Sequence, residues 1–260
     1  SYYNALMLLR YVISNLLKEP VKKQQNKKDK KSQIAEEAPG TKKENKNFDL
    51  LAYILSFTAA LCIGFSKTFW SDATQVEVYA LHSVFLSLII YYSIKILINL
   101  NQPDKKNWLL LFLIIGLSFS NHLTTIFIIP ALIYLFYLQY SSDKLFAKKV
   151  IPLVLFAIPG ILLYGVLVLA SSNEPYLNWS DLQNISNLPG HIRGSDYSQL
   201  MFSSASKFGV NAGAFFKELP GELAIIPLIF SLAAIAALWK TFRKFVILIA
   251  ISIVFTLLYA

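Results

Sequence analysis

The stretch S-K-T-F-W-S-D-A-T-Q-V-E-V-Y-A-L-H, Ser66 to His82, sets two carboxylates, Asp72 and Glu77, beside Trp70, Tyr79 and His82. A long apolar run begins at the same point. A carboxylate placed there can take a proton from a hydroxyl or cap a helix. Capping explains part of the pattern. Thr74-x-x-Glu77 and Asp72-x-x-Gln75 both fit capping boxes opening a helix over 76–98, and acids suit the positive end of its dipole. It does not explain the whole cluster. Glu77 is expected inside the first turn, near a membrane interface, where an unpaired carboxylate is costly and marks a candidate catalytic residue. Trp70 and Tyr79 also fit an interfacial aromatic belt. His82 falls about one and a half turns beyond Glu77. It can pair with that acid or with a neighbouring helix, and structural use is the simpler reading.

Two later places add polar chemistry. Asn121 and His122 sit at the tip between two apolar runs, on the same membrane face as Asp72. The long segment from Asn173 to Phe202 carries Trp179, His191, Arg193 and Tyr197, residue types that stack on a sugar or fork a phosphate. Long loops are either functional or disordered, and the aromatic content argues against disorder. Asn184-Ile185-Ser186 is a glycosylation sequon, which matters only in a eukaryotic lumen. The sequence holds no Walker loop, dinucleotide glycine pattern, zinc motif or nucleophile elbow. A single cysteine, Cys62, excludes an intramolecular disulfide.

These residues need a membrane scaffold to hold them. The 260 residues are 55% hydrophobic, a composition of polytopic membrane proteins rather than soluble domains. Spans are expected near 3–17, 48–66, 76–98, 107–121, 123–140, 150–171, 221–239 and 244–260, with kinks at Pro130, Pro152 and Pro159. The 107–121 and 123–140 runs should form a tight helical hairpin or a broken pair. The net charge of +9 comes from lysines clustered between apolar runs. Topology therefore explains it, and nucleic acid is not an expected partner. Ten lysines lie in 18–47, a low-complexity stretch expected to be a disordered cytoplasmic loop. Alternate loops carry the remaining lysine excess, which puts 67–75 and 172–220 together on the extracytoplasmic side. The fold class is all-α: a single transmembrane domain over 1–260, a helical bundle of about eight membrane segments. Ser1 opens the chain and Ala260 ends it inside an apolar run, so it reads as a fragment of a longer protein.

The Ser66–His82 stretch resembles the loop-and-helix signature of a large bacterial membrane-protein family similar to protein O-mannosyltransferases. G-L-S-F-S-N-H-L (116–123) resembles its next signature. N-E-P-Y-L-N-W-S-D-L (173–182) and L-P-G-H-I-R-G-S-D-Y-S-Q-L-M-F (188–202) resemble its third. The resemblance covers about 55–205 and implies a GT-C fold. It implies a glycosyltransferase that moves a mannose-like hexose from a polyprenyl-phosphate donor to a protein Ser/Thr hydroxyl or other extracytoplasmic acceptor. The implied location is the bacterial inner membrane, with the active face periplasmic. By motif, Asp72 and Glu77 are the catalytic candidates. Asn121, His122, His191, Arg193 and Tyr197 are the substrate-binding ones, and Trp70 and Trp179 join them on residue type alone. No permanently bound cofactor is implied, no metal ligand is assigned, and a divalent ion on the acids stays open. The family's principal acid follows its first span and is expected upstream of residue 1. Asp72 and Glu77 would then be secondary, and the fragment alone inactive. The alternatives are a transporter or lipid flippase without covalent chemistry, and a membrane scaffold that binds a partner through the outer loop.

Overall fold

The computed structural model describes residues 7, 39–75, 77–141, 145–176, 178, 181–195 and 205–259. All regular structure among them is helical. In chain order the helices are α1 (Pro39–Gly64), α2 (Lys67–Thr74), α3 (Tyr79–Ile98) and α4 (Lys105–Asn121). A 3-10 helix (Leu123–Ile128) leads into α5 (Ile129–Tyr140), followed by α6 (Phe146–Leu162) and α7 (Tyr164–Ser171). A 3-10 turn (Ile185–Asn187) precedes α8 (Leu188–Arg193), and α9 (Ala205–Leu223), α10 (Ile225–Thr241) and α11 (Arg243–Tyr259) complete the set.

Each segment expected from residue 48 onward falls on a helix or a helix pair. The expected span 3–17, save residue 7, and the lysine-rich stretch as far as residue 38 lie outside the described residues. From Pro39 the backbone is already helical and runs into α1 without a break. Among the described residues, three helices are long and apolar enough to cross a membrane: Tyr79–Ile98, Leu123–Tyr140 and Lys148–Ser171. The number rises to five if two bent pairs, Asp49–Gly64 with Lys67–Thr74 and Phe208–Leu223 with Ile225–Thr241, each count as one span. Helices α4 and α11, with 17 residues each, reach about 25 Å, short of a hydrocarbon core of about 30 Å. Apolar side chains stay outward on the longer spans, Ile133 of α5 and Leu169 of α7 among them, as bilayer solvent permits.

The described residues form two compact units. One joins the chain up to Trp70 with Pro220–Val246; the other joins Ser71–Leu219 with the last helix from Ile247. In the first unit the Glu222 carboxylate accepts from the Thr68 backbone N–H at 2.9 Å and from the Thr68 hydroxyl at 2.6 Å. It thereby caps the first turn of α2 from α9, a turn with no acid of its own. Phe65 stacks on Trp70, and Arg243 lies over the Trp239 ring.

The second unit is built on α4. Trp108, Leu111, Ile114 and Ser118 are buried at helical spacing. Where α4 crosses α6, Gly116 faces Ala157 and Gly160 at backbone contact. A Cβ on Gly116 would fall on the Ala157 carbonyl, and one on Gly160 would fall on the backbone of Gly116. Small residues at a crossing let membrane helices approach closely when no hydrophobic effect draws them together. The turn after α4 reverses the chain, so that Trp108 near the start of α4 packs on Phe136 and Tyr140 near the end of α5. This is the tight hairpin. Its far end is tied by Gln139, which accepts from the Trp108 indole and donates to the carbonyls of Asn99 and Leu100. Pro130 sits where the 3-10 helix passes into α5, in the first turn of that helix, a position that proline favours. Pro152 and Pro159 lie inside α6, and the helical path breaks at Leu163. Between α4, α5 and α6 lies an apolar cavity of about 330 Å³, lined by residues such as Phe112, Ile115, Ile133 and Val154.

Candidate active site

The acidic stretch does not open α3 as a capping box. Asp72 lies in the last turn of α2, and Glu77 precedes α3, whose N-cap is Val78 with no side-chain cap bond. The polar side chains that were to form the boxes turn back instead: Thr74 Oγ1 donates to the Ser71 carbonyl, and Gln75 Nε2 donates to Ser71 Oγ. The reason is the break between α2 and α3, which leaves Glu77 outside the first turn. Glu77 is exposed and Asp72 half-buried. Neither carboxylate makes a hydrogen bond or ion pair among the described residues. A free carboxylate on a helix-to-helix corner is available to a ligand.

The hairpin tip meets that corner. Asn121 ends α4, and its carboxamide donates to the Val78 carbonyl at 3.1 Å, next to Glu77 in the chain. His122 is extended (φ −151°, ψ 126°), which ends α4 and turns the imidazole to cap the 3-10 helix. Its Nδ1 accepts from the Thr124 backbone N–H at 3.3 Å, and Thr124 Oγ1 lies 2.7 Å from the same nitrogen. The Tyr79 and His82 rings lie against it, with centroids 5.4 and 4.8 Å away. Burial pushes the His122 imidazole below its ordinary range, since the charged form loses water there. Behind the ring, Thr125 Oγ1 donates to the His122 carbonyl at 2.9 Å. That leaves Ser118 Oγ as the donor across the buried 2.7 Å contact to Thr125. Two threonines and a serine therefore fix both the backbone and the ring of His122. His82 pairs with the neighbouring element through Thr124 Oγ1 at 3.2 Å, and no bond to Glu77 is formed.

The segment after α7 supplies the remaining polar residues. Ser171 ends α7 buried, donates to Asn178 Oδ1 at 2.6 Å and accepts from the Gln183 backbone N–H at 3.0 Å. This folds the loop back on the helix end. Asn184 caps the 3-10 turn, and Gly194 (φ 64°) closes α8 in the left-handed region that glycine occupies without strain. On α8, His191 meets the Tyr164 ring edge-on at 6.4 Å. Tyr164 in turn donates from its hydroxyl to the Phe119 carbonyl at 3.0 Å. Phe119 stands two residues before Asn121, so α8 and the hairpin tip share one end of the unit. Arg193 is exposed, its Nε donating to the Pro189 carbonyl of its own helix at 3.1 Å.

Of the expected site residues, Asn121, His122 and His191 are thus linked through named contacts, with Glu77 beside the Val78 that Asn121 holds. Asp72 and Arg193 extend from elements of the same unit without a contact to these. Trp70 falls in the other unit, and Trp179 and Tyr197 lie outside the described residues. Among the described residues, no three His, Cys, Asp or Glu side chains converge as a metal site. Sequence reading missed Thr124 and Tyr164. A tyrosine hydroxyl inside an apolar run needs a partner, which was the available signal for Tyr164. Thr124, two residues after a helix-ending histidine, sits where local side-chain bonds cap turns.

No curated protein and no solved structure matches the chain. The family model described as the protein O-mannosyl-transferase TMEM260 N-terminal domain matches residues 4–145, a stretch that contains Asp72, Glu77, His82, Asn121, His122 and Thr124. With more than half its length matched, this helical membrane chain belongs to the protein O-mannosyl-transferase TMEM260 N-terminal domain family.

Proposed function

We propose that the complete protein transfers a mannose-like hexose from a polyprenyl-phosphate donor to a protein Ser/Thr hydroxyl. The site lies at the extracytoplasmic rim of a GT-C-type bundle of about eight spans. In a bacterial inner membrane this face is periplasmic. One observation supports the reading: the contact path Val78–Asn121 and Phe119–Tyr164–His191, which joins residues of the three stretches that resemble the family's signatures.

In this reaction the acceptor oxygen bonds to the sugar C1 as the bond from C1 to the phosphate oxygen breaks. The hydroxyl proton passes to a carboxylate, and the polyprenyl phosphate leaves as the dianion. Glu77, exposed and unpaired, is the carboxylate best placed at the rim. Asp72 assists in the last turn of α2. Arg193 offers a free guanidinium face to the phosphate, where positive charge stabilises the leaving group. Asn121, His122 and His191 bind the donor head. The apolar cavity between α4, α5 and α6 suits a hydrocarbon tail.

The test compares Ser/Thr-linked hexose on exported proteins, by glycopeptide mass spectrometry, in cells with and without the complete gene. Loss of a hexose on deletion, restored by wild type but not by Glu77→Ala or Arg193→Ala variants that insert normally, supports the reading. An unchanged glycoproteome, together with substrate flux through liposomes and no covalent product, would favour a transporter. An EDTA arm separates a metal-assisted version from an unassisted one.

A further inference from the structure

His82, Thr124 and His122 form a continuous hydrogen-bonded chain with only one consistent polarity. The Thr124 backbone N–H faces His122 Nδ1 at 3.3 Å, and a backbone N–H can only donate. His122 Nδ1 is therefore the unprotonated nitrogen. The Thr124 hydroxyl lies 2.7 Å from that same lone pair and must donate to it as well. Its own lone pairs then accept from His82 Nε2 at 3.2 Å, which makes Nε2 the protonated nitrogen of His82. His82 Nδ1 is left as a buried lone pair with no hydrogen-bond partner among the described residues. An unsatisfied buried acceptor is costly, and such costs gather at functional positions.

The consequence falls on His122. Neutral, and unprotonated on Nδ1, it carries its proton on Nε2. That nitrogen makes no hydrogen bond among the described residues and is not one of the sealed-off polar atoms. Ring contacts to Tyr79 and His82 fix its direction.

We infer that His82 and Thr124 are positioning residues that hold His122 in its Nε2–H form, so that it donates a hydrogen bond to an oxygen of the donor phosphate. This rests on the transferase reading and adds a polarity to it. A neutral donor steadies the phosphate without adding a second cation to the half-buried ring cluster. Threonine suits the relay position because it supplies a backbone donor and a hydroxyl that both donates and accepts.

The experiment uses the complete protein in nanodiscs with ¹⁵N-labelled histidine. The His122 signals are identified by their loss in His122→Gln. The expected result is an Nε2–H tautomer in wild type and in Thr124→Ser. Thr124→Val should give a mixture of tautomers, with kcat down about tenfold and KM nearly unchanged. Short-chain polyprenyl monophosphate, added without sugar, should move the His122 Nε2 resonance in wild type. A His122 protonated on Nδ1 in wild type, identical tautomers and kcat in the valine and serine variants, or no response to polyprenyl phosphate would each overturn the inference. Tautomers are read without turnover, so a protein that transfers no sugar would sink the transferase reading while leaving the ring polarity separately decided.

Discussion

Tyr164 donates its hydroxyl to the carbonyl of Phe119 across 3.0 Å, and this single bond ties the helix that leads into the 173–195 segment to the last turn of α4. The carbonyl belongs to a helix C-terminus, where acceptors lack intrahelical partners. His191 rests on the same tyrosine ring, so the bond sets the height of α8 over the hairpin tip.

Tyr164→Phe keeps the ring and removes the donor. The Phe119 carbonyl then loses a half-buried partner, at a cost of about 1–3 kcal/mol. The effect should be local: faster proteolytic nicking within residues 173–204 and weaker His191 anchoring, with insertion and helix content unchanged. Limited proteolysis in nanodiscs checks this. Equal nicking rates in wild type and variant would show that the bond does not hold the loop.

Gly116 and Gly165 should respond oppositely to added bulk. A Cβ at Gly116 meets the Ala157 backbone, whereas one at Gly165 has nothing within 4 Å. Gly116→Leu must push α4 and α6 apart, an overpacking cost of about 1–3 kcal/mol or more. Gly165→Ala should be neutral or slightly stabilising, through the unfolded chain. Thermal unfolding in one detergent, with both variants side by side, measures the contrast. A similar loss in both would mean that the crossing is looser than the described packing.

How far these features could be read beforehand differs from place to place. Apolar length announced the helices, because each must satisfy its own backbone in lipid. It narrowed the two runs joined by Ser120, Asn121 and His122 to a hairpin or a broken pair, and the packing of Trp108 on Phe136 and Tyr140 decides for the hairpin. Capping was misjudged at Asp72 and Glu77: both boxes fit locally, but α2 forms ahead of them and uses Asp72 inside a helix. Its first turn is held by Glu222, more than 150 positions away, and no local pattern reports a partner at that distance. For His82 the sequence allowed either Glu77 or a neighbouring helix as partner, and the partner it takes is Thr124. That pairing depends on the angle at which the hairpin packs.

Glu77 and Arg193 should separate in their kinetic effects. If Glu77 is the base proposed above, Glu77→Gln removes the proton acceptor but keeps the shape, so kcat should fall about 10²–10⁴-fold with donor KM little changed. Arg193→Lys keeps the charge but loses the planar fork and should retain more activity than Arg193→Ala, which is expected to lose about 10²-fold. Steady-state transfer to a Ser/Thr peptide by the complete protein distinguishes the two. Full activity in Glu77→Gln would move the base elsewhere, with an acid upstream of the described helices the next candidate.

His122 gives the site a pH limit whose direction follows from its bonds. Burial lowers its pKa from the ordinary 6.5, so the folded chain favours the neutral ring more than the unfolded chain does. Stability from the neutral ring is fully present above pH 6.5 and is lost as pH falls through the lowered folded value. The second proton would enter at Nδ1, the nitrogen that the Thr124 N–H and hydroxyl both address, and those two bonds would then face a donor. Among the described residues, the titratable rings that face it are Tyr79 and His82 from α3. No carboxylate is bonded to it to stabilise the charge. Exchange protection of the Thr124 amide, corrected for intrinsic rates, should therefore be flat from pH 8 to about 6.5 and decline below that. His122→Asn, which can accept without titrating, should remove the decline. Protection that instead rises on acidification would mean that His122 is charged in the folded site, and that the threonine contacts are not what holds it.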